Sequence, residues 1–220
     1  MAGKVLVIAQ QKGGSGKTTL AAHLAVAGLA PGQRVAILDV DPQGSLGQWF
    51  ERRERRLGEG ATGLVLRTAS GWGAKREARL LAREFDLVVI DMPPRSDLEA
   101  RNAIEAADLV AVPVQPTPVD LWATEATLEL VAKGGPPAIL VVNRAPSRAI
   151  AEATLAQLGA LAAPVAQSQL GNRVAFGATM GSGGTVLEAF PTSKAADEVR
   201  ALAAEIGRML ASGQNKGTSR

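Results

Sequence analysis

The sequence contains no cysteine, no tyrosine and only one histidine. Thiolate zinc sites, iron–sulfur clusters and thiol nucleophiles all need cysteine, so none of them can be built within this chain. With His23 alone, multi-histidine metal sites are excluded, and a Ser-His-Asp triad would have to use that residue. Without tyrosine there is no tyrosine autophosphorylation. Charge of one sign is not in large excess: 24 Lys+Arg stand against 21 Asp+Glu, a net of +3. That mild basicity permits nucleic acid or an anionic membrane as partner without demanding either. Long apolar runs are also missing. The run at residues 5–9 is too short for a signal segment or a membrane span, which reads as a cytoplasmic protein.

The 220 residues fit one domain, expected over 1–211, with a small, polar and disordered tail over 212–220. Short apolar runs alternate with longer amphipathic stretches. This is the pattern of an α/β fold with a mostly parallel twisted sheet and helices on both faces. Strands are expected at 4–9, 34–39, 86–91, 109–114 and 138–143. Helices are expected at 17–30, 45–56, 74–84, 98–107, 120–133, 149–158 and 193–211. The Gly-rich stretch 58–73 is ambiguous, with an edge strand at 63–66 as one option, and 181–184 reads as a second flexible stretch.

The first strand runs directly into Gln10-Gln11-Lys12-Gly13-Gly14-Ser15-Gly16-Lys17-Thr18-Thr19, and a helix follows. Strand, Gly-rich loop and helix N-terminus together aim backbone N–H groups at one anion. Lys17 is placed to reach β and γ phosphates, and the Thr18 hydroxyl to ligate Mg²⁺. Acidic residues stand at two further strand ends, Asp39 and Asp41 in Asp39-Val40-Asp41-Pro42-Gln43-Gly44-Ser45 and Asp91 in Ile90-Asp91-Met92-Pro93-Pro94. In an open α/β sheet the ligand sits outside the carboxyl ends of the strands, so these carboxylates should converge on the same phosphates. Each alone could simply cap a turn or helix. Together beside a triphosphate they require an intervening cation.

The usual G-x-x-x-x-G-K-[ST] pattern fails at its first position, where Gln11 stands, and Lys12 adds a second cation. Lys-Gly-Gly-x-Gly-Lys-Thr resembles the deviant Walker A motif of the ParA/MinD group of P-loop ATPases. The D-x-D-P-Q-G-S run at 39–45, the D-x-P-P run at 91–94 and Pro113-Val114-Gln115-Pro116-Thr117-Pro118-Val119-Asp120-Leu121 are similar to further motifs of the small plasmid-partition members. So are Val141-Val142-Asn143-Arg144, Asn172-Arg173-Val174-Ala175-Phe176 and Gly184-Thr185-Val186-Leu187-Glu188. The resemblance therefore covers nearly the whole chain.

It implies ATP bound with Mg²⁺ at Gly13, Gly14, Ser15, Gly16, Lys17, Thr18 and Thr19, with Asn143 facing adenine. It further implies Mg²⁺ supported by Thr18, Asp39 and Asp91, and catalysis by Lys12, Lys17 and Asp41. Asp41 would orient the attacking water, and Lys12 would cross a dimer interface to the partner's ATP, a trans cation comparable to an arginine finger. The implied function is a ParA-type partition and positioning ATPase. It forms an ATP-bound homodimer, binds nonspecific DNA, works with a ParB-like or other cargo adaptor and associates with the nucleoid. Candidate DNA contacts are Arg144, Arg148, Arg173, Lys194, Arg200 and Arg208, with Lys216 and Arg220 in the tail. The cluster 52–56 ranks below them as an ordinary charged helix face.

The absent cysteines weigh against cluster-bearing relatives and the absent tyrosines against the tyrosine-kinase branch. With the first strand beginning by residue 4, no N-terminal DNA-binding domain is expected. The main alternative is a MinD-like membrane-associated positioning ATPase. Its membrane helix would be the stripe Val199, Leu202, Ile206, Met209 and Leu210, but that stripe lacks large aromatics and its polar face mixes acids with bases. It reads better as a core-packing helix, so no stable membrane association is expected. A metabolic P-loop ligase is a weaker alternative.

Overall fold

A computed structural model describes residues 2–94 and 97–212. The order is β1 (Lys4–Ile8), α1 (Lys17–Ala27), β2 (Val35–Asp39), α2 (Ser45–Leu57), β3 (Leu64–Thr68), α3 (Gly71–Glu84), β4 (Leu87–Asp91) and α4 (Asp97–Ile104). Then come β5 (Leu109–Val114), α5 (Pro118–Gly134), β6 (Ala138–Val142), α6 (Arg148–Leu158), α7 (Val174–Gly181), α8 (Val186–Ala189) and α9 (Lys194–Ser212). All strand pairs are parallel, in the order β3-β2-β4-β1-β5-β6.

Alternation along the strands explains the layers. Leu6, Ile8, Ile37, Val89 and Ile139 point to the face covered by α1, α2, α8 and α9. Their neighbours Val5, Val7, Leu38, Ile90 and Leu140 point to the face covered by α3, α4 and α5. Both faces are apolar because both are covered, so the strands read as unbroken hydrophobic runs.

Several expectations shift. The ambiguous Gly-rich stretch does hold an edge strand, β3, and α3 begins at Gly71. Two short helices, α7 and α8, were not foreseen; α8 has four residues and no usable periodicity, and its start is a Thr185/Glu188 capping box. Residues 181–184 are not a free flexible stretch. Gly183 sits at φ 69° against α2, and a Cβ there would fall 2.2 Å from the Arg53 amide nitrogen. α9 extends to Ser212, one residue into the expected tail; the tail's Lys216 and Arg220 lie outside the described residues. The α9 stripe packs inward, with Val199, Leu202, Ile206 and Leu210 buried. Among the described residues no helix is long and apolar enough to cross a membrane.

Candidate functional site

The loop between β1 and α1 carries the phosphate-binding candidates. Gly16 adopts φ 94°, and a Cβ there would fall 2.4 Å from the Asn143 side-chain nitrogen, so only glycine fits. That contact has a purpose: Asn143 Nδ2 donates to the Ser15 carbonyl at 2.8 Å, while its Oδ1 accepts from the Arg144 amide at 3.0 Å. Asn143, at the end of β6, thus clamps the loop from the far side of β5. Gln115 reaches over from β5 and donates to the Gly14 carbonyl at 2.6 Å.

Lys17 and Thr18 open α1, next to the ends of β2 and β4. The Lys17 ammonium lies 3.4 Å from the Lys12 carbonyl. Burial lowers its pKa, and the charges of Asp91 and Asp41 act in the opposite direction. Thr18 Oγ1 donates to Asp91 Oδ2 at 2.6 Å. Asp39 accepts from the Asp41 amide at 3.1 Å and from the Gly47 amide at 2.9 Å, which fixes the start of α2. Asp41 accepts from the Gln43 amide at 2.9 Å and faces the loop across an open cleft of about 500 Å³. Gly13, Gly14, Gly16, Lys17, Thr18 and Thr19 line this cleft from the other side. A larger groove of about 1070 Å³ is lined by Lys4, Leu24, Gly28 and α9 residues; of the candidate residues only Arg200 borders it, and none of the phosphate-loop or acidic candidates does.

The acidic group suits a hard divalent cation. Asp91 Oδ1 is buried without a hydrogen-bond partner. Burial pushes the Asp91 pKa up to about 7 against the Thr18 hydrogen bond, with Asp39 and Asp41 adding to the rise and Lys17 opposing it. Asp39 is raised by burial as well. A cation offsets such a penalty. No cluster of three acid or histidine ligands occurs among the described residues. A magnesium ion held by one hydroxyl, water and substrate phosphates does not need one.

Lys12 is the unexpected element. Its ammonium sits on Oδ2 of Asp120, a fully buried carboxylate in the first turn of α5, which also takes a hydrogen bond from the Thr117 hydroxyl. Asp120 Oδ1 has no hydrogen-bond partner among the described residues. Around this pair, Gln10 donates to the Pro113 carbonyl at 3.3 Å and to Thr124 Oγ1 at 3.2 Å, and Thr127 Oγ1 accepts from the Gln11 amide at 3.2 Å. The Thr117-Pro118-Val119-Asp120 run is a helix-start signature visible in sequence, but its pairing with Lys12, 108 positions away, is not.

The basic candidates do not form one surface. Arg144, at φ 54°, borders the phosphate-loop cleft. Arg173 makes a two-pronged pair with Glu198 at 2.6 and 3.0 Å, and Arg200 is held by Asp197 and the Pro191 carbonyl. Lys194 shares a cleft with Arg173 and Glu198; Arg208 is exposed on α9. Arg148 opens α6, and its side chain is outside the described set. Within the 52–56 cluster, Arg53 corrects the reading of an ordinary charged face. It is 3% exposed, pairs with both carboxylate oxygens of Glu188 at 2.8 and 2.9 Å, and donates to the Thr62 carbonyl. His23 is buried. Its Nδ1 lies 2.8 Å from the Thr19 carbonyl, and its Nε2 accepts from the Val186 amide at 3.2 Å.

Residues 4–128 match the family model described as ATPase MipZ. The "Chromosome-partitioning ATPase Soj" of Thermus thermophilus is 34% identical, over 91% of this chain and 94% of its own length. The "Maintenance of carboxysome distribution protein A" of Halothiobacillus neapolitanus is 29% identical, over 91% of this chain and 95% of its own. In fold, the septum site-determining protein MinD of Pyrococcus horikoshii, solved with Mg-ADP, superposes with a TM-score of 0.79 at 18% identity, covering 96% of this chain and 98% of that one. A strand-to-helix glycine loop with two lysines, on this sheet and with these relatives, makes the chain a member of the ParA/MinD group of P-loop ATPases, within which its family model is that of the MipZ ATPases.

Proposed function

We propose that this chain is a ParA-type positioning ATPase that binds Mg-ATP, pairs with a second copy around the nucleotides, and holds nonspecific DNA while so paired. The observation that carries this reading is the placement of Lys17, Thr18 and Asp41 on one cleft, with the buried Asp91 joined to it through the Thr18 hydroxyl and the additional lysine Lys12 on the same loop. The naming of relatives for chromosome partitioning and carboxysome distribution supports positioning as the use of the cycle.

In this reading the loop amides of residues 13–19 and the Lys17 ammonium bind the β and γ phosphates. Thr18 and Asp91 hold Mg²⁺, with Asp39 supporting them through the start of α2; when bound, the ion neutralises phosphate charge. Asp41 accepts a hydrogen bond from the attacking water and orients it. Asn143 keeps the loop in shape and borders the base. Lys12 leaves Asp120 to reach the partner's γ phosphate, so nucleotide occupancy and pairing are linked. Hydrolysis removes that phosphate, the interface weakens and DNA is released. An adaptor bound to the cargo accelerates the step. Lys194 and Arg208, neither held in an ion pair among the described residues, remain candidate DNA contacts at the C-terminal end.

A membrane-bound positioning protein is the alternative, and the burial of the α9 stripe supports the DNA reading against it. Light scattering with ATP and Mg²⁺, followed by co-sedimentation with DNA or with anionic vesicles, tests the proposal. ATP-dependent dimers that pellet with DNA in a salt-sensitive manner are expected. Nucleotide-dependent pelleting with vesicles alone overturns it.

A further inference from the structure

A second basic surface lies on α3, around a groove that none of the candidate DNA contacts lines. α3 buries Gly71, Ala74, Ala78, Leu81 and Ala82 against the sheet. Its outer face carries Trp72, Arg76, Arg79, Leu80 and Arg83. At 3.6 residues per turn these five positions fall within an arc of roughly 100°. Trp72 is 68% exposed, the most exposed aromatic of the chain, and lines with the three arginines and Asn102 a shallow groove of about 380 Å³. Arg76, Arg79 and Arg83 have no ion-pair or hydrogen-bond partner among the described residues, whereas the neighbouring Lys75 is paired with Glu105 at 2.6 Å.

We propose that this face of α3 is a docking surface for the sugar–phosphate backbone of DNA, with Arg76, Arg79 and Arg83 as the phosphate contacts. The inference rests on the DNA-binding reading above and assigns it a place. Three guanidiniums spread along roughly 10 Å of helix axis, each with a planar fork matched to phosphate oxygens. Arg173 and Arg200 would have to break existing pairs with Glu198 and Asp197 before binding phosphate; the α3 arginines exchange only water and counterions. A lipid surface fits less well. An interfacial helix needs a continuous apolar face to bury, and the apolar face of α3 is already in the core, leaving Trp72 and Leu80 two turns apart. Trp72 supplies a contact to the sugar edge that does not depend on salt.

The test is fluorescence anisotropy of a labelled random-sequence duplex with the full chain, ATP and Mg²⁺, over a range of salt. Arg76→Ala/Arg79→Ala/Arg83→Ala is expected to weaken binding at least about tenfold and to flatten the log–log salt slope by about 2 to 3, as loss of three phosphate contacts requires. The corresponding triple Arg→Lys chain is expected to retain most of the slope, and Trp72→Ala to lose affinity with the slope unchanged. Basal ATP turnover should be unaltered in all of them. Wild-type affinity and slope in the triple alanine variant overturn the assignment while leaving the functional reading intact. A wild-type chain that binds no DNA in any nucleotide state overturns that reading and the α3 surface with it. Arginine-dependent binding to anionic vesicles, with DNA binding unchanged, overturns the choice of DNA.

Discussion

The Lys12 ammonium rests on the buried carboxylate of Asp120 in the same chain. A lysine that must contact a partner's nucleotide therefore starts from a bound state, and dimerisation has to offset the loss of this pair. Asp120→Asn keeps the shape and the Thr117 contact while removing the charge. It is expected to lower the protein concentration at which ATP produces dimers in light scattering. Lys12→Ala is expected to retain nucleotide binding and lose the dimer; an unimpaired dimer in that variant removes the trans role of Lys12. Because Lys12 is about a third exposed, water can partly solvate the orphaned Asp120, so its loss should cost less than the roughly 3 to 5 kcal/mol of breaking a fully buried pair.

Asp41 lies across the cleft from Lys17, and among the described residues its side chain holds only the Gln43 amide. Its amide bonds Asp39, but its side chain makes no hydrogen bond to Asp39 or Asp91, so truncating the side chain should spare folding and magnesium binding. Asp41→Ala is expected to bind ATP normally and turn over at least about a hundredfold more slowly, within the range of positioned proton-transfer groups. It should accumulate as a dimer retained on DNA. Normal turnover would show that Asp41 does not orient the water.

Arg53 ties α2, the helix that follows the Asp41 loop, to α8 through Glu188, which also caps α8 and takes a hydrogen bond from Arg56 at 3.1 Å. Burial would raise the Glu188 pKa, but the hydrogen bond and charge of Arg53, with hydrogen bonds from the Thr185 hydroxyl and Arg56, bring it below its ordinary value. Arg53→Met is expected to destabilise the chain by about 2 to 4 kcal/mol, lowering Tm by roughly 5 to 15 °C for a chain of this size. Adding Glu188→Gln should recover part of that loss in a thermal melt, since the second change removes the unpaired charge; strict additivity would mean the pair contributes nothing as a pair.

These examples also show what a sequence can and cannot disclose. The five buried strands were legible because residues on one face, such as Ile37 and Val89, and their neighbours on the other, Leu38 and Ile90, are all apolar. The phosphate loop was legible because glycines and Lys17 occupy consecutive positions. Arg53 looked like its neighbours Arg52 and Arg55 because nothing local marks which arginine of a run turns inward; the partner that decides it is 135 positions away. The periodicity of α3 marks a helix, but nothing in it distinguishes its arginines, which differ from Arg173 and Arg200 in having no side-chain partner among the described residues. The edge strand β3 was ambiguous because only Leu64 is buried and its C-terminal end, Arg67 and Thr68, is exposed.

His23 gives the last prediction. It is packed between α1 and the start of α8, edge-on to Phe176 with ring centres 5.1 Å apart. Burial depresses its pKa to about 4, while the Thr19 carbonyl and the Glu188 charge act to raise it. A histidine more basic in the unfolded chain than in the folded one draws protons toward the unfolded state. The stability its neutral form contributes is therefore complete above pH about 6.5, the ordinary histidine value, and is lost as pH falls from there toward 4. The full loss is about 3 kcal/mol, from roughly 1.4 kcal/mol for each pKa unit. Denaturant melts of wild type and His23→Gln across this window should show a wild-type stability that falls more steeply with acid. The glutamine variant, starting less stable because it fills the site less well, should converge on it below pH about 4.5. Parallel pH profiles for the two chains would mean that His23 is solvated enough to titrate normally in the folded state.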